Sequence, residues 1–288
     1  MALLLRGVAT AALVFPFCAD GRRLRLKQRW SKGMLDILGI RLDADLAHLV
    51  PGSMLVANHI SWLDIFVINV ARPCAFVSKE EVRHWPVIGW LAAINDTVFL
   101  KRGSRGHAKL INREIAEILG TGKHVAVFPE GTTTDGTHLL HFHAALLQPA
   151  LAAGRPVVPA AISYWEPDGS RSLAPRYDGD LSLGDCLRAI ISRRRLTARL
   201  VATPALGLNG EDRRTVAAAA HAAITAAAQL APVAREPLAV SPAEPSGSDL
   251  PDAARSIRIP DRRTDETPPQ RATSGCDAAQ PAVPPGAP

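Results

Sequence analysis

The sequence lacks the features that mark several common protein classes. Its four cysteines lie far apart and include no C-x-x-C pair, so they provide neither a disulfide framework nor a zinc-binding pattern. This cysteine usage fits a reducing, cytoplasmic-facing setting. The chain has no G-x-S-x-G motif, which argues against a serine hydrolase of the α/β-hydrolase type. Residues 120–123 (GTGK) lack the spacing of a Walker motif and do not predict a nucleotide site.

A long hydrophobic run is also missing. Residues 7–18 are apolar, but this run is shorter than the roughly 20 residues that a membrane-spanning helix needs. Arg6 separates it from the apolar residues before it, Pro16 lies inside it and Asp20 follows it. A signal peptide would need its charge at the very start and a small-residue cleavage site, and neither is clear. The run predicts an anchor that dips into the bilayer, with a genuine single span as the close alternative.

Positive charge is concentrated near the N-terminus of a chain whose formal net charge is +6 at pH 7. In the same stretch Leu26, Trp30 and Met34 recur at every fourth position, which predicts a helix with an apolar stripe. An apolar stripe with basic flanks is typical of a helix lying in a membrane interface, and an ordinary packed surface helix is the alternative. Nucleic-acid binding is not predicted, because no recognition motif accompanies the charge. The clustered basic residues are Arg22, Arg23, Arg25, Lys27, Arg29 and Lys32.

Composition divides the chain into three segments. Residues 1–40 predict a membrane-associating helical segment. Residues 41–231 alternate short β-rich runs with helical stretches, the pattern of an α/β domain. Residues 232–288 hold twelve of the 23 prolines and bury too little apolar surface to offset chain entropy, so this Pro/Ala-rich tail is predicted to be disordered. The predicted strands are 53–57, 75–77, 97–100, 125–128, 157–162 and 198–202, and the predicted helices are 62–69, 87–94, 106–119, 143–153 and 213–230.

A histidine and a carboxylate stand five positions apart in residues 58–64 (NHISWLD), directly after an apolar run. A histidine can take a proton from a hydroxyl at neutral pH, and an aspartate can fix its tautomer and support the developing positive charge. Ser61 suits the N-cap of a helix beginning at Trp62, which would place Asp64 in the first turn, facing back towards His59. The alternative is a helix-capping histidine and an aspartate favoured by the helix dipole.

Two further motifs suggest contacts with an anionic group. Residues 128–134 (FPEGTTT) follow a second apolar run, and Gly131 would let backbone N–H groups approach an anionic headgroup while threonine hydroxyls add donors. Residues 98–102 (VFLKR) place Arg102 at the end of a predicted strand, where an arginine can grip a phosphate through two hydrogen bonds. A plain surface cation is the alternative for Arg102.

Taken in this order, the motifs resemble the lysophospholipid acyltransferase family, which includes the 1-acylglycerol-3-phosphate O-acyltransferases, over residues 50–165. The resemblance implies a mixed sheet flanked by helices, with His59 and Asp64 as the catalytic pair. Residues 157–162 (VVPAAI) resemble an apolar strand of the family, and we expect Pro159 at an edge or bulge because proline lacks an N–H donor. The implied substrate-binding residues are Asn58, Arg102, Glu130, Gly131 and Thr132.

The resemblance also implies an activity: transfer of an acyl group from an acyl carrier protein or coenzyme A thioester to the free hydroxyl of a lysophospholipid. The implied acceptor is 1-acyl-glycerol-3-phosphate, which would give phosphatidic acid. Many members carry an arginine where this chain has Thr133, which leaves room for lyso-ornithine lipid or another lysolipid as the acceptor. Alternatives from other classes are a lipid hydrolase and a non-catalytic lipid-binding module.

The implied partners are the thioester donor, the lysophospholipid and membrane lipids, at the cytoplasmic face of a bacterial-type inner membrane with a monotopic or single-span attachment. No metal and no tightly bound cofactor are implied. The spacing of His138, His141 and His143 does not place all three on one helix face, and no acidic ligand accompanies them, so a metal site is not predicted there.

Overall fold

A seven-stranded sheet forms the centre of the protein, whose computed structural model describes residues 2–101, 105–193, 195–207 and 209–229. Arg102 and the predicted disordered tail therefore lie outside the described residues. The strands are β1 (Ile40–Asp45), β2 (Met54–Ala57), β3 (Cys74–Lys79), β4 (Val98–Leu100), β5 (His124–Val127), β6 (Val157–Trp165) and β7 (Leu196–Ala202). The α-helices are α1 (Ala2–Leu13), α2 (Asp20–Ile37), α3 (Asp64–Ala71), α4 (Glu80–Arg83), α5 (Ile88–Ala93), α6 (Arg105–Gly120), α7 (Gln148–Ala152), α8 (Leu183–Ser192) and α9 (Arg213–Ala227), with 3-10 turns at Phe15–Phe17 and Ala144–Leu147.

The strand order is β1-β7-β6-β2-β5-β3-β4. The five strands from β6 to β4 run parallel to one another, β7 is antiparallel to β6, and β1 is parallel to β7. The sheet is therefore mixed and the fold is α/β, as predicted. Parallel strands end at one edge of a sheet, here named the carboxyl edge, and ligands of open α/β sheets bind beyond such an edge. The chain leaves this edge at His59, after β2, and at Phe128, after the neighbouring β5.

Helices cover both faces of the sheet, so β2 and β5 are buried along their whole length. Leu55 and Ala57 of β2 point to the face covered by α2, α3 and α8, whereas Met54 and Val56 point to the face covered by α6, α7 and α9. A strand buried on both faces has a continuous apolar sequence instead of an alternating one. The short apolar runs therefore predicted these strands to within a few residues.

Two local predictions are corrected by the structure. The helix predicted at 62–69 begins at Asp64, and the one predicted at 143–153 divides into a 3-10 turn and α7. Strand β1 and helices α4 and α8 were not predicted. In β1 (IRLDAD) only the first residue is buried. The charged residues that alternate along this edge strand obscure the apolar pattern from which a strand would be predicted.

Pro159 lies in β6 in the interior of the sheet, at a bulge as expected. Ala160 lies opposite Ala202 but Val157 lies opposite Leu206, so the partner chain has one extra residue beside Pro159. Its carbonyl oxygen accepts a hydrogen bond from the Thr203 N–H at 2.8 Å. The N and O atoms of one strand residue point to the same side, so the missing N–H faces β7, whose pairing with β6 stops at Ala160 opposite Ala202. A proline is tolerated there because the bulge interrupts the regular ladder, which resumes at Val157 opposite Leu206.

Helices α1 and α2 pack closely at their crossing. A Cβ added to Gly7 would lie 2.5 Å from Nε1 of Trp30, and the Trp30 indole N–H donates to the carbonyl of Leu3 at 3.0 Å. Glycine at this position is therefore what lets the two helices approach. Within the part of the chain that the structure describes, neither of these helices nor any other is long and apolar enough to cross a membrane.

Helix α2 also carries a buried cation, which gives a testable effect of pH on stability. The Lys27 ammonium donates to the carbonyls of Cys74 at 2.5 Å and Asn95 at 3.3 Å, and burial lowers the pKa of Lys27 from 10.5 to about 8. Between these two values the unfolded chain holds a proton that the folded chain has lost, so this group makes the protein more stable as pH rises. From pH 7 to pH 9 we expect the unfolding free energy of the wild type to gain about 1 kcal/mol relative to Lys27→Met.

Chemical denaturation at several pH values measures this difference. Lys32→Met is the matched control, because Lys32 lies on the same helix with 64% of its side chain exposed. The series stops at pH 9, since burial raises the pKa of the Cys74 thiol from 9.0 to about 12, and that group destabilises the fold at higher pH. Parallel pH curves for the wild type and Lys27→Met would contradict the assignment.

Candidate active site

His59 and Asp64 form a hydrogen-bonded pair at the carboxyl edge. Nδ1 of His59 lies 2.8 Å from Oδ2 of Asp64, and the imidazole stacks on the Phe128 ring with centroids 3.9 Å apart and planes 12° apart. The His59 side chain is 20% exposed, whereas that of Asp64 is fully buried. Because Nδ1 faces Asp64, Nε2 is the ring nitrogen that remains for a substrate hydroxyl.

The loop between His59 and Asp64 is folded around the carboxylate. Besides His59, Oδ2 of Asp64 accepts hydrogen bonds from the backbone N–H of Ile60 at 2.7 Å and of Ser61 at 2.9 Å. The sequence suggested Ser61 as the N-cap of the helix. In the structure the N-cap position is Leu63, and the helix begins at Asp64 itself. The carboxylate binds N–H groups of the loop that precedes the helix, and its charge lies in the first turn, where the helix dipole favours it.

Tyr164, on β6, supplies a partner for the other oxygen of Asp64. Its hydroxyl donates to Oδ1 of Asp64 at 2.7 Å, and both side chains are buried. Burial, followed by the nearby negative charge of Asp64, raises the pKa of Tyr164 well above its ordinary value, so the hydroxyl keeps its proton. Sequence reasoning missed this residue, because it lies 100 positions from Asp64 and the apolar sequence of its strand predicts only a place in the hydrophobic core.

Glu130 is buried beside the backbone of His59. Its Oε1 accepts from the backbone N–H of His59 at 2.9 Å, and its Oε2 accepts from that of Leu140 at 2.8 Å. Glu130 is only 4% exposed, and burial raises the pKa of its carboxyl, an effect opposed by the two N–H donors. Both oxygens are thus occupied within the fold, and the structure gives Glu130 the task of holding the His59 backbone.

Asn58 is likewise turned inward. Its amide N–H donates to the Ile162 carbonyl at 3.0 Å, and its amide oxygen accepts from the Ile162 N–H at 2.7 Å. The side chain is buried and ties the end of β2 to β6. Asn58 thus braces the backbone immediately before His59, and its predicted contact with a substrate stays a prediction.

The residues after Glu130 form a loop that packs on the His59 segment. Gly131 has a φ of +71°, which favours glycine, but its N–H donates to the Phe128 carbonyl and does not face an open site. Thr132 is exposed at the surface of the same turn. The Thr134 N–H donates to the His59 carbonyl at 2.9 Å, so the loop holds the histidine backbone from a second side.

Two further expectations concern charged ligands. Lys101 follows β4 at the carboxyl edge and is exposed, while its neighbour Arg102 lies outside the described residues. In the sheet order, β4 stands three places from β2, about 14 Å at the usual strand spacing.

Within the described residues, no group of three or more His, Cys, Asp or Glu side chains is arranged to hold a metal ion.

Comparison with known proteins identifies the same chemistry. A sequence model of the family described as Acyltransferase matches residues 47–163. The 1-acyl-sn-glycerol-3-phosphate acyltransferase of Neisseria meningitidis serogroup B is 42% identical over 185 residues, which are 64% of this chain and 72% of that protein. The lyso-ornithine lipid O-acyltransferase of Pseudomonas aeruginosa is 41% identical over 169 residues, which are 59% of this chain and 65% of that protein.

A solved structure supports the fold. The crystal structure of the 1-acyl-sn-glycerophosphate (LPA) acyltransferase from Thermotoga maritima matches with a TM-score of 0.52 at 22% identity, covering 78% of this chain and 95% of that one. At this identity the likeness concerns the fold alone. The family model goes further, since the region that it matches contains the His59–Asp64 pair and the Phe-Pro-Glu-Gly-Thr motif. The chain therefore belongs to the lysophospholipid acyltransferase family and is an acyltransferase.

Proposed function

We propose that this enzyme transfers an acyl group from a thioester to the free hydroxyl of a lysophospholipid, with His59 as the general base. The observation that carries the proposal is the 2.8 Å contact between Nδ1 of His59 and the buried carboxylate of Asp64. That contact directs Nε2 away from the protein interior and supplies a negative charge beside the imidazolium that forms during proton transfer.

The reaction needs no nucleophile from the protein. Nε2 of His59 takes the proton of the lysolipid hydroxyl while the hydroxyl oxygen attacks the thioester carbonyl carbon. The tetrahedral intermediate then collapses, the carbon–sulfur bond breaks, and the departing thiolate receives the proton from the imidazolium. The stacking of His59 on Phe128 and the hydrogen bond from the His59 N–H to Glu130 hold the base in place through both steps.

The acceptor that we propose is 1-acyl-glycerol-3-phosphate, giving phosphatidic acid, with an acyl carrier protein or coenzyme A thioester as the donor. The relative from Neisseria meningitidis supports this choice through the substrate in its name. Arg102 and Lys101 are the cations that follow β4, and we assign them to the phosphate of the acceptor.

Lyso-ornithine lipid is the second candidate, and Thr133 is the observation that favours it. The Thr133 hydroxyl donates to the Tyr177 carbonyl within the fold, so this position supplies no cation for a phosphate. An ornithine headgroup carries an ammonium and a carboxylate, and it would need less positive charge at the site. The relative from Pseudomonas aeruginosa is named for that acceptor. It is 41% identical to this chain, compared with 42% for the relative from Neisseria meningitidis.

The test offers both acceptors to the full-length protein in lipid vesicles. Labelled acyl groups are supplied on acyl carrier protein and on coenzyme A in separate reactions, and His59→Ala is the blank. Label in phosphatidic acid supports the first acceptor, and label only in acylated ornithine lipid supports the second. Label released as free fatty acid, with no acylated product, would instead show hydrolysis and refute acyl transfer to either.

We also propose that α1 and α2 rest on the surface of an anionic membrane, at its cytoplasmic face. Leu13 and Phe17 are 70% and 88% exposed at the end of α1. Along α2 the exposed residues Arg22, Arg25 and Arg29 recur every three or four positions and so share one face. Exposed apolar side chains beside a row of cations are the features by which a helix binds an anionic lipid interface.

Neutralising that basic row should weaken membrane binding. Each basic residue near an anionic surface contributes about 1 kcal/mol, so replacing Arg22, Arg25 and Arg29 by glutamine should lower the vesicle partition coefficient by about 100-fold. Sedimentation with vesicles containing anionic lipid measures the change. The control replaces three exposed arginines on the opposite face of the sheet, Arg113, Arg213 and Arg214. Equal losses in the two triple variants would refute a specific role for α2.

A further inference from the structure

A buried tyrosine contacts the catalytic pair from the side that faces away from the substrate. Tyr164 is 1% exposed, Asp64 is 0% exposed, and the tyrosine hydroxyl donates to Oδ1 of Asp64 at 2.7 Å. The two residues come from separate elements, β6 and the first turn of α3. Their contact is thus created by the tertiary fold and by no local sequence motif.

The two oxygens of Asp64 have different tasks. Oδ2 serves three donors, the His59 ring and the backbone N–H groups of Ile60 and Ser61. Oδ1 is served by Tyr164, and without that hydroxyl a buried carboxylate oxygen would lose its hydrogen bond. A donor on each oxygen also fixes the rotation of the carboxylate about its Cβ–Cγ bond. Fixing that rotation keeps Oδ2 directed at Nδ1 of His59.

Strand β6 holds the His59 loop at two points. Ile162 binds the side chain of Asn58, the residue before His59, through its backbone N–H and carbonyl. Tyr164, two residues further along the same strand, binds Asp64. Strand β6 therefore holds the loop with backbone groups at one point and with a side chain at the other.

We propose that Tyr164 is a positioning residue for acyl transfer, whose hydroxyl holds the Asp64 carboxylate in the orientation that aligns His59. This inference rests on the proposed roles of His59 and Asp64. Tyr164 does not touch the substrate, so it acts on the rate of the chemical step through Asp64 and leaves substrate binding unchanged.

Tyr164→Phe removes only the hydroxyl and tests this role. We expect kcat to fall about 10- to 100-fold, the range typical for loss of a residue that orients a functional side chain through a hydrogen bond. The KM for donor and acceptor should stay within about twofold of the wild type. Tyr177→Phe is the matched control, because Tyr177 is the other tyrosine of the chain and its hydroxyl makes no hydrogen bond to the described residues. Thermal unfolding of each variant shows that it is folded at the assay temperature.

A double variant separates positioning from general loss of structure. If Tyr164 acts through Asp64, then Tyr164→Phe added to Asp64→Asn should change kcat by less than about threefold, far less than it does in the wild type. An unchanged kcat in Tyr164→Phe would overturn the inference, and so would an equal loss in both backgrounds. His59→Ala, assayed alongside, distinguishes failure of this inference from failure of the proposed function. If His59→Ala abolishes transfer while Tyr164→Phe does not alter kcat, only the inference about Tyr164 fails. If His59→Ala retains activity, the proposed function fails as well.

Discussion

Replacing His59 by alanine should lower kcat for acyl transfer by about 10³- to 10⁴-fold. General-base catalysis contributes about 10²- to 10⁴-fold, and in the proposed reaction the same imidazole also returns the proton to the departing thiolate, so its removal should affect both steps. We expect a smaller change in KM, because the ring is positioned by Asp64 and Phe128 and supplies little of the surface that a lipid substrate would contact. Initial rates with a labelled thioester and saturating lysolipid measure the effect.

The effect on rate must be distinguished from loss of the fold. His59 is partly exposed and its backbone, held by Glu130 and Thr134, is retained in the variant, so the melting temperature should change by only a few degrees. His48→Ala is the matched control, since His48 is exposed in the connection between β1 and β2 at the opposite edge of the sheet. Residual activity within tenfold of the wild type in a folded His59→Ala protein would refute the role of His59 as the base.

The strands of this fold could be predicted because burial on both faces leaves a simple signature. Runs such as 125–127 and 157–162 are apolar throughout, and only a strand covered by two layers of helices needs such a sequence. The edge strand β1 could not be predicted in the same way. Its pairing with β7 is known only from the tertiary structure, and the exposed charged residues of β1 have the composition of a loop.

The pairing of His59 with Asp64 was accessible from the sequence because it is a local contact between residues five positions apart. The residues that hold this pair were not accessible as such. Glu130 lies 71 positions from His59, and Asn58 lies 104 positions from Ile162. Motif reasoning marked Glu130 and Asn58 as functional, but it could not show these bracing contacts, because the sequence does not indicate which way a polar side chain beside His59 points.

The geometry now gives these polar residues a common physical task. A loop that carries a catalytic base cannot be held by regular secondary structure, so its N–H and carbonyl groups need other partners. Around His59 those partners are the carboxylates of Glu130 and Asp64 and the backbone of Thr134. The site is therefore held rigid by buried hydrogen bonds before any substrate arrives, which is the condition for efficient proton transfer.

Replacing Asp64 by asparagine should preserve this framework and still lower kcat by about 10³- to 10⁴-fold. The amide is nearly isosteric with the carboxylate, and its oxygen can accept from the N–H groups of Ile60 and Ser61 while its NH₂ group faces Tyr164, whose hydroxyl oxygen can accept. The negative charge is lost, however, so the imidazolium formed on His59 is no longer stabilised. The equivalent change in a serine protease triad costs about 10⁴-fold in kcat, where the asparagine also leaves the histidine in the wrong tautomer.

The comparison that decides this point is between two Asp→Asn variants of similar stability. Asp43→Asn removes a charge from exposed β1, where Asp43 pairs with Arg199, and it should keep kcat within about twofold. If Asp64→Asn is folded and retains more than a tenth of the wild-type kcat, then the charge on Asp64 is not required and its role is limited to bracing the loop. A loss of three or more orders of magnitude with near-normal KM would show that Asp64 acts on the proton transfer itself, through the positive charge that it stabilises on His59.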